Sequence, residues 1–358
     1  MDSSKTEQIL SVNSKIESFQ GRLQELGTIT VMPDYFVDRF VRFSSIAELS
    51  QAIMKKGLES GGGSIRGIEQ DEVKGGNAVN IAYSLGKLGA SVHVVAIANG
   101  LAAEALKSAF SEMNNVTLDE VNGKCGYTVA LEYMEAGRLV NVMVSDTGDL
   151  REFDGSTISQ WDAIKNSKIV AVLNWAANRS GNELCERVFT FAHQNRARTF
   201  LDPADISELV DLLPEFKKKI LDPALLDILS LNDSESRIMC KALCNYSLPK
   251  DYSETEPRNV LRKLSDLSGG SVDIHTRQVS LSCENGKDCT SAKCHKVDQK
   301  IVTGAGDVWD AADLSGYLIG SSPEDRLSFA NAAAGLYISR VDAMAPSFAE
   351  VVEFRKSA

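Results

Sequence analysis

Short runs of apolar, often β-branched residues recur along the chain, separated by segments in which apolar positions return every three or four residues. Residues 28–32, 92–97, 168–173, 199–201 and 228–231 are runs of strand length. Between them, residues 77–89, closed by Gly89, and 181–195 carry helical spacing. Alternation of this kind predicts βαβ units, a parallel sheet covered on both faces, and hence an α/β fold. Residues 127–134 and 138–145 break the rhythm. They are polar-faced strands joined by Glu135-Ala136-Gly137, the pattern of a hairpin. Together with residues 39–70 they are expected to form a small β lid that excludes water from a substrate; residues 57–74, with Gly61-Gly62-Gly63-Ser64, read as a mobile connection. Ile9, Leu10, Val12, Ile16, Phe19, Leu23 and Leu26 fall at helical spacing, so residues 1–27 are expected to be a helical extension. Residues 28–358 then form the main domain, its lid drawn from about 39–70 and 125–146. Residues 206–227 and 245–258 read as surface insertions.

The chemistry concentrates in Thr303-Gly304-Ala305-Gly306-Asp307. Residues 296–302 before it alternate like a strand, and helix-forming residues run after it to Gly320. Glycines between a strand-like approach and a helix expose backbone N–H groups at the positive end of the helix dipole, which makes an anion site. Asp307 lies in the first turn of that helix, where a carboxylate is favoured and expected to stay ionised. An anion pocket beside a carboxylate suits transfer of a phosphoryl group to an alcohol: the N–H groups hold the group in transit, and the carboxylate accepts the hydroxyl proton.

Other polar residues cluster where strands are expected to end. Asp38, with Asp34 as the weaker choice, follows the first strand at the edge where open parallel sheets bind ligands. Gly75-Gly76 opens the helix carrying Asn77 and Asn80, so a ligand can approach its main chain. Asn174-Trp175, Asp202-Pro203-Ala204-Asp205 and Asn232-Asp233-Ser234-Glu235 follow later strands. Asn232 and Glu235 fit either a capping box or a pair orienting water on a phosphate-bound metal. Asn331, in the small-residue helix 327–340, faces either a nucleotide base or a neighbouring loop, and Ser347 is a cap for the terminal helix.

Of the 358 residues, 43% are hydrophobic, enough for a large core. A net charge of -11 excludes a basic surface for nucleic acid or anionic membrane. No apolar run approaches the length of a membrane-spanning helix, and the polar start is not a signal peptide, so a cytoplasmic protein is expected. Seven scattered cysteines fit reduced thiols better than a disulfide framework. Cys283, Cys289, Cys294 and His295 lack the spacing of a zinc knuckle and read as a hairpin with incidental thiols around Asn285-Gly286; Cys240 and Cys244 read as core packing. The basic triplet Lys217-Lys218-Lys219 reads as a solvated helix face.

The Gly75-Gly76 to Asn80 segment, the Asn232 and Glu235 pair, residues 303–307, and the Asn331 helix followed by Pro346 come in the order of the ribokinase-like (PfkB) carbohydrate kinases. From about residue 28 onward the chain resembles that family. The resemblance implies a three-layer α/β/α fold with a mostly parallel central sheet and a β lid, and phosphoryl transfer from a nucleotide to a sugar-type hydroxyl. It makes Asp307 the base, Gly304, Ala305 and Gly306 the anion hole with Thr303 beside the nucleotide, and Asp38, Gly75, Gly76 and Asn80 the substrate contacts. Asn232 and Glu235 would serve a Mg2+–phosphate network with Glu235 toward the metal, Asn331 would lie near the base of ATP, and a homodimer through the lid is implied. Two departures stand out. Ile301-Val302 occupy places where the family often has Asp-Thr, and residues 273–278 replace a Gly-rich strand and turn. There Arg277 is placed to clamp a donor phosphate, and His275-Thr276 is similar to the ADP-dependent sugar kinases, so ADP is the alternative donor. Tyr35, Phe36 and Tyr127 are possible base stackers, which keeps a nucleoside kinase open beside a sugar kinase, and a non-catalytic ligand-binding relative is the reading from another class.

Overall fold

Alternation along the central strands divides their side chains between two cores. In β1 (Thr28–Met32), Ile29 and Val31 enter one core and Met32 the other. In β8 (Ser167–Leu173), Ile169, Ala171 and Leu173 face one side while Val170 and Val172 face the opposite one. A strand buried on both faces needs a layer on each, and the period of two supplies both contacts. The computed structural model describes residues 15–16, 18–247, 256–284, 287–301 and 303–357.

The remaining strands are β2 (Phe36–Arg42), β3 (Glu69–Gly75), β4 (Ser91–Ala98), β5 (Val116–Asn122), β6 (Gly126–Glu135), β7 (Arg138–Asp146), β9 (Arg198–Asp202), β10 (Ile228–Asn232), β11 (Ser271–His275), β12 (Val279–Glu284) and β13 (Thr290–Lys293). The main sheet runs β13-β12-β11-β10-β9-β8-β1-β4-β5; it is parallel from β5 to β11, and β12 and β13 turn back antiparallel. The helices are α1 (Ile46–Ser60), α2 (Asn77–Leu88), α3 (Gly100–Phe110), α4 (Trp161–Lys165), α5 (Gly181–Gln194), α6 (Leu213–Phe216), α7 (Asp233–Cys244), α8 (Glu256–Ser268), α9 (Ala305–Ile319), α10 (Pro323–Ile338) and α11 (Phe348–Ser357). Ile81 of α2, Leu106 of α3, Leu314 of α9, Phe329 of α10 and Val351 of α11 share one core. Phe189 of α5, Met239 of α7 and Leu261 of α8 share the other. The result is the expected three-layer α/β/α fold.

A second, four-stranded sheet, in the order β3-β2-β6-β7, is drawn from the segments expected to form the lid. The β6–β7 hairpin is present, whereas most of residues 57–74 is regular: α1 extends to Ser60 and β3 begins at Glu69. Residues 206–227 are not a surface insertion. Ile206, Leu213, Phe216 and Ile220 are buried, because this segment roofs the core beneath β9 and β10. Lys219 of the basic triplet pairs with Glu183 and Glu215. Residues 296–301 form no strand; Lys300 and Ile301 instead donate their N–H groups to the Ile338 carbonyl. The leading helix falls, for residues 1–14, outside the described residues, as do 248–255 of the second insertion and the turn at Asn285-Gly286. After it, Ile16 and Leu23 are buried ahead of β1. Cys283 and Cys289 are joined in a disulfide, so these two are not the incidental thiols expected from the sequence. Cys240 packs in the core as expected.

One buried ion network ties the antiparallel end to the helices. Arg326 of α10 donates to both carboxylate oxygens of Asp273, to Asp313 and to Ser282. Tyr317 donates to Asp273 at 2.7 Å, and its ring lies 3.7 Å from the guanidinium. Charges this deeply buried persist only when paired and hydrogen bonded.

Candidate active site

The loops after β1, β8, β9, β10 and β11 all leave the main sheet at its carboxyl edge, and the N-termini of α2 and α9 point into the same space. Asp34, fully buried after β1, accepts from the backbone N–H groups of Asn77 (2.7 Å) and Ala78 (2.9 Å) and from Asn174 Nδ2 (3.0 Å). Its carboxylate therefore caps α2 and fixes the Gly75-Gly76 turn. Gly76 has φ 92°, and a Cβ there would come within 3.0 Å of the Asp34 carboxylate. Only glycine satisfies both demands.

Asn80, on the first turn of α2, reaches across to α9 and donates to Asp307 Oδ2 at 2.9 Å. The turn before Asp307 is held open in a defined way. Gly304 is the N-cap with φ 85°, among the described residues no side-chain cap hydrogen bond closes the start of α9, and Tyr337 donates to the Thr303 carbonyl at 2.9 Å. Free N–H groups at a helix start form an anion cradle. A Cβ at Gly306 would touch only the His275 ring, at 3.4 Å, so packing leaves room above this part of the main chain.

Negative charge is concentrated here. Burial pushes the Asp307 carboxyl well above the ordinary carboxylate range, helped by Asp202 and Asp34; the Asn80 hydrogen bond and the Lys74 ammonium pull it down. The shift runs opposite to the expectation from the helix dipole, because desolvation outweighs it. Asp310, one turn on, accepts from Ser230, and among the described residues no donor reaches its buried second oxygen. Asp202, at the end of β9, accepts from Ala204 N–H and, at 3.5 Å, from Asn77 Nδ2. Lys74, the penultimate residue of β3, brings a cation into this field, and burial draws it down to about 8. His275 ends β11 beside Gly306 with its ring tilted against Trp309, 5.0 Å between centroids, and burial lowers its basicity.

A model of the pfkB family of carbohydrate kinases matches residues 48–349. The chain belongs to this family. Solved structures share its fold at low identity. Ribokinase from Arabidopsis thaliana, complexed with ribose and ATP, superposes with a TM-score of 0.72 at 18% identity, covering 92% of this chain and 99% of that one. Adenosine kinase from Sinorhizobium meliloti gives 0.69 at 18% identity, covering 93% and 99%. Phosphofructokinase-2 from Escherichia coli, in complex with potassium, gives 0.67 at 14% identity, covering 92% and 98%. No curated protein sequence matches the chain.

The kinase fold brings together most of the residues singled out by sequence. Asp307, Gly304, Ala305, Gly306, Thr303, Gly75, Gly76 and Asn80 line one space, joined by the Asn80–Asp307 hydrogen bond. Asp38 belongs to lid strand β2 rather than to a loop after β1, and its carboxylate lies directly over Gly75, where a Cβ would meet it at 2.1 Å. Asn232 and Glu235 form a complete capping box: Asn232 Oδ1 accepts from Glu235 N–H at 3.0 Å, and Glu235 Oε2 accepts from Asn232 N–H at 2.7 Å. Burial, with Asp202 beside it, lifts the Glu235 carboxyl to about 9. Asn331 is spent inside the protein, accepting from Trp309 Nε1 at 2.9 Å and donating to the carbonyls of Ala292 and Lys293, so its amide does not face an open nucleotide space. Arg277 is exposed in the β11–β12 turn, and it is His275, two residues earlier, that reaches the glycine turn. Tyr35 and Phe36 are buried, leaving Tyr127 as the exposed aromatic of the three. Sequence reading missed Lys74, Tyr337 and the roles of Asp202 and Asn174; the lysine's position next to Gly75-Gly76 was the available signal.

Proposed function

We propose that this kinase moves the terminal phosphoryl group of ATP to a hydroxyl of a sugar or sugar-like substrate, with Asp307 as the base. The observation that carries the reading is the Asn80–Asp307 hydrogen bond, which aims a partly desolvated carboxylate beside the open N–H groups of residues 304–306. Asp38, Gly75, Gly76 and Asn80 orient the acceptor between lid and α2. The acceptor oxygen bonds to phosphorus as the bond to the nucleoside diphosphate breaks, and the hydroxyl proton passes to Asp307 Oδ. A carboxyl with raised affinity for protons is a better base than an ordinary one, provided it starts ionised. The N–H groups of Gly304, Ala305 and Gly306 accept the charge of the group in transit.

A divalent ion fits the surroundings of Glu235. This carboxyl is buried with Asp202 and Asp205 adding negative charge, but both its oxygens accept from Asn232, and among the described residues no group of three or more His, Cys, Asp or Glu could hold a metal, so water and substrate phosphates would have to complete the site. Mg2+ commonly binds through one or two carboxylates and substrate phosphates, and supplies neutralisation of phosphate charge. Glu235, positioned by Asn232, would hold it here.

The polar acceptor wall favours a sugar over a nucleoside, because Tyr35 and Phe36 are withdrawn into the cores. The lid also favours a homodimer: Val129 pairs with Val144 and Leu131 with Val142, and the valines leave an exposed apolar band on one face of β6 and β7. A panel of sugars, phosphosugars and nucleosides, each with ATP and with ADP, tests the assignment. Acceptor-dependent release of nucleoside diphosphate from ATP is expected with a sugar-type alcohol; turnover with ADP alone would reassign the donor, and binding without turnover across the panel would favour a non-catalytic relative.

A further inference from the structure

Lys74 is largely buried, yet among the described residues its ammonium makes no ion pair. Its ammonium lies over an aromatic ring, with Nζ 4.0 Å from the centroid of Tyr83. Tyr83 follows Asn80 by three positions on α2, so the two share a helix face, and Asn80 is the residue bonded to Asp307. The lysine is thus held over the same stripe of α2 that fixes the carboxylate of α9. A buried cation without a partner is costly, and placing one here is intelligible if it acts on a charge nearby.

Resting on the kinase reading above, we propose that Lys74 is a positioning residue for phosphoryl transfer: its ammonium, parked on the Tyr83 ring, biases Asp307 toward the ionised form that accepts the hydroxyl proton. Other charges facing Asp307 work in the opposite sense or not at all. Asp34 after β1 and Asp202 at the end of β9 raise its proton affinity. Tyr337 from α10 is pushed up to about 12, and burial raises the proton affinity of Asp310 on α9 itself. His275 beside Gly306 is buried toward its neutral form. Facing Lys74 is Asp38 of β2; around the Tyr83 ring stand Lys87 of α2, 5.9 Å from its centroid, and Glu112 after α3, while Glu72 on the same strand as Lys74 is paired with Arg39. Lys74 is the cation left to oppose the carboxylates. Its own proton is retained below about pH 8, so the bias acts across the acidic and neutral range and is lost as pH rises through that value.

The test is a pH titration of the Asp307 side-chain carboxyl by carbon-13 NMR in the ligand-free protein, the resonance assigned by its absence in Asp307→Asn. Wild type is compared with Lys74→Met, which keeps an apolar stem on Tyr83, Lys74→Gln as a second neutral variant, and Lys74→Arg. The midpoint is expected to rise by about half a pH unit or more in both neutral variants and to stay near wild type in Lys74→Arg. The acid limb of kcat should move with it. An Asp307 midpoint unchanged in Lys74→Met and Lys74→Gln would overturn the proposal even if the enzyme turns over a sugar. A midpoint that moves in a protein inactive toward every acceptor would instead leave the coupling standing and remove the kinase reading.

Discussion

At the scale of single residues, the site is defined by what little space and freedom the main chain has left. Gly304 combines φ 85° with a tyrosine hydroxyl 2.7 Å from where a methyl would stand. Gly304→Ala is therefore expected to cost roughly 1–2 kcal/mol of backbone strain and to displace Tyr337 from the Thr303 carbonyl. Differential scanning calorimetry should show a modest fall in Tm, while kcat/KM falls at least about tenfold because the N–H cradle tilts. Asn80→Asp places a second carboxylate against Asp307 without changing side-chain size. Like charge raises the proton affinity of both, so the acid limb of the kcat profile should shift to higher pH, a displacement that a plain packing defect would not cause. Legibility at this scale followed local chemistry. Gly304-Ala305-Gly306-Asp307 and Gly75-Gly76 were readable because their roles are written in backbone geometry. Lys74 was not, because a lysine before two glycines reads as solvated until folding lays it on a ring from another element.

Elements hold these residues in place through caps and one buried ion cluster. Ser347 and Glu350 begin α11 as the sequence suggested: Glu350 accepts from the Ser347 N–H and hydroxyl, each at 2.7 Å, and from Arg340. These partners hold the Glu350 carboxyl down to about 2. Its folded-state value lies below the unfolded one, so the stabilisation is present above about pH 4.5 and is lost as pH falls toward 2. Glu350→Gln should lower the unfolding free energy slightly at pH 7, by well under about 1 kcal/mol given its exposure, seen as a small fall in the urea midpoint, and make no difference near pH 2. The Arg326 cluster is a larger effect. Arg326→Met leaves Asp273 and Asp313 buried without their counter-charge, and equilibrium unfolding should show a loss of about 3–5 kcal/mol. None of this was visible beforehand, since Asp273, Asp313 and Arg326 sit on three different elements and only the β11–α9–α10 packing joins them. The error over residues 206–227 has a similar origin: irregular, charged sequence looked like surface, yet Phe216 and Ile220 turn inward at spacings too uneven to register as a helix face.

For the molecule as a whole, the short apolar runs and the βαβ rhythm were enough to specify an α/β fold with a parallel sheet, the family resemblance supplied the three layers, and the out-of-rhythm hairpin marked the second sheet. The disulfide was not legible, because Cys283 and Cys289 meet only when β12 and β13 pair as antiparallel neighbours. If the lid's exposed valines close a dimer, light scattering should give the mass of two chains, and Val144→Asp paired with Val129→Asp should reduce it to one with the circular dichroism unchanged. The claim on which everything else rests concerns the carboxylate at the start of α9. Turnover of Asp307→Asn, measured with a competent sugar acceptor and saturating ATP, is its most direct test. Loss of about 100-fold or more in kcat, with nucleotide affinity and Tm nearly unchanged, is the expected result. A folded Asp307→Asn enzyme that turns over at the wild-type rate would contradict it.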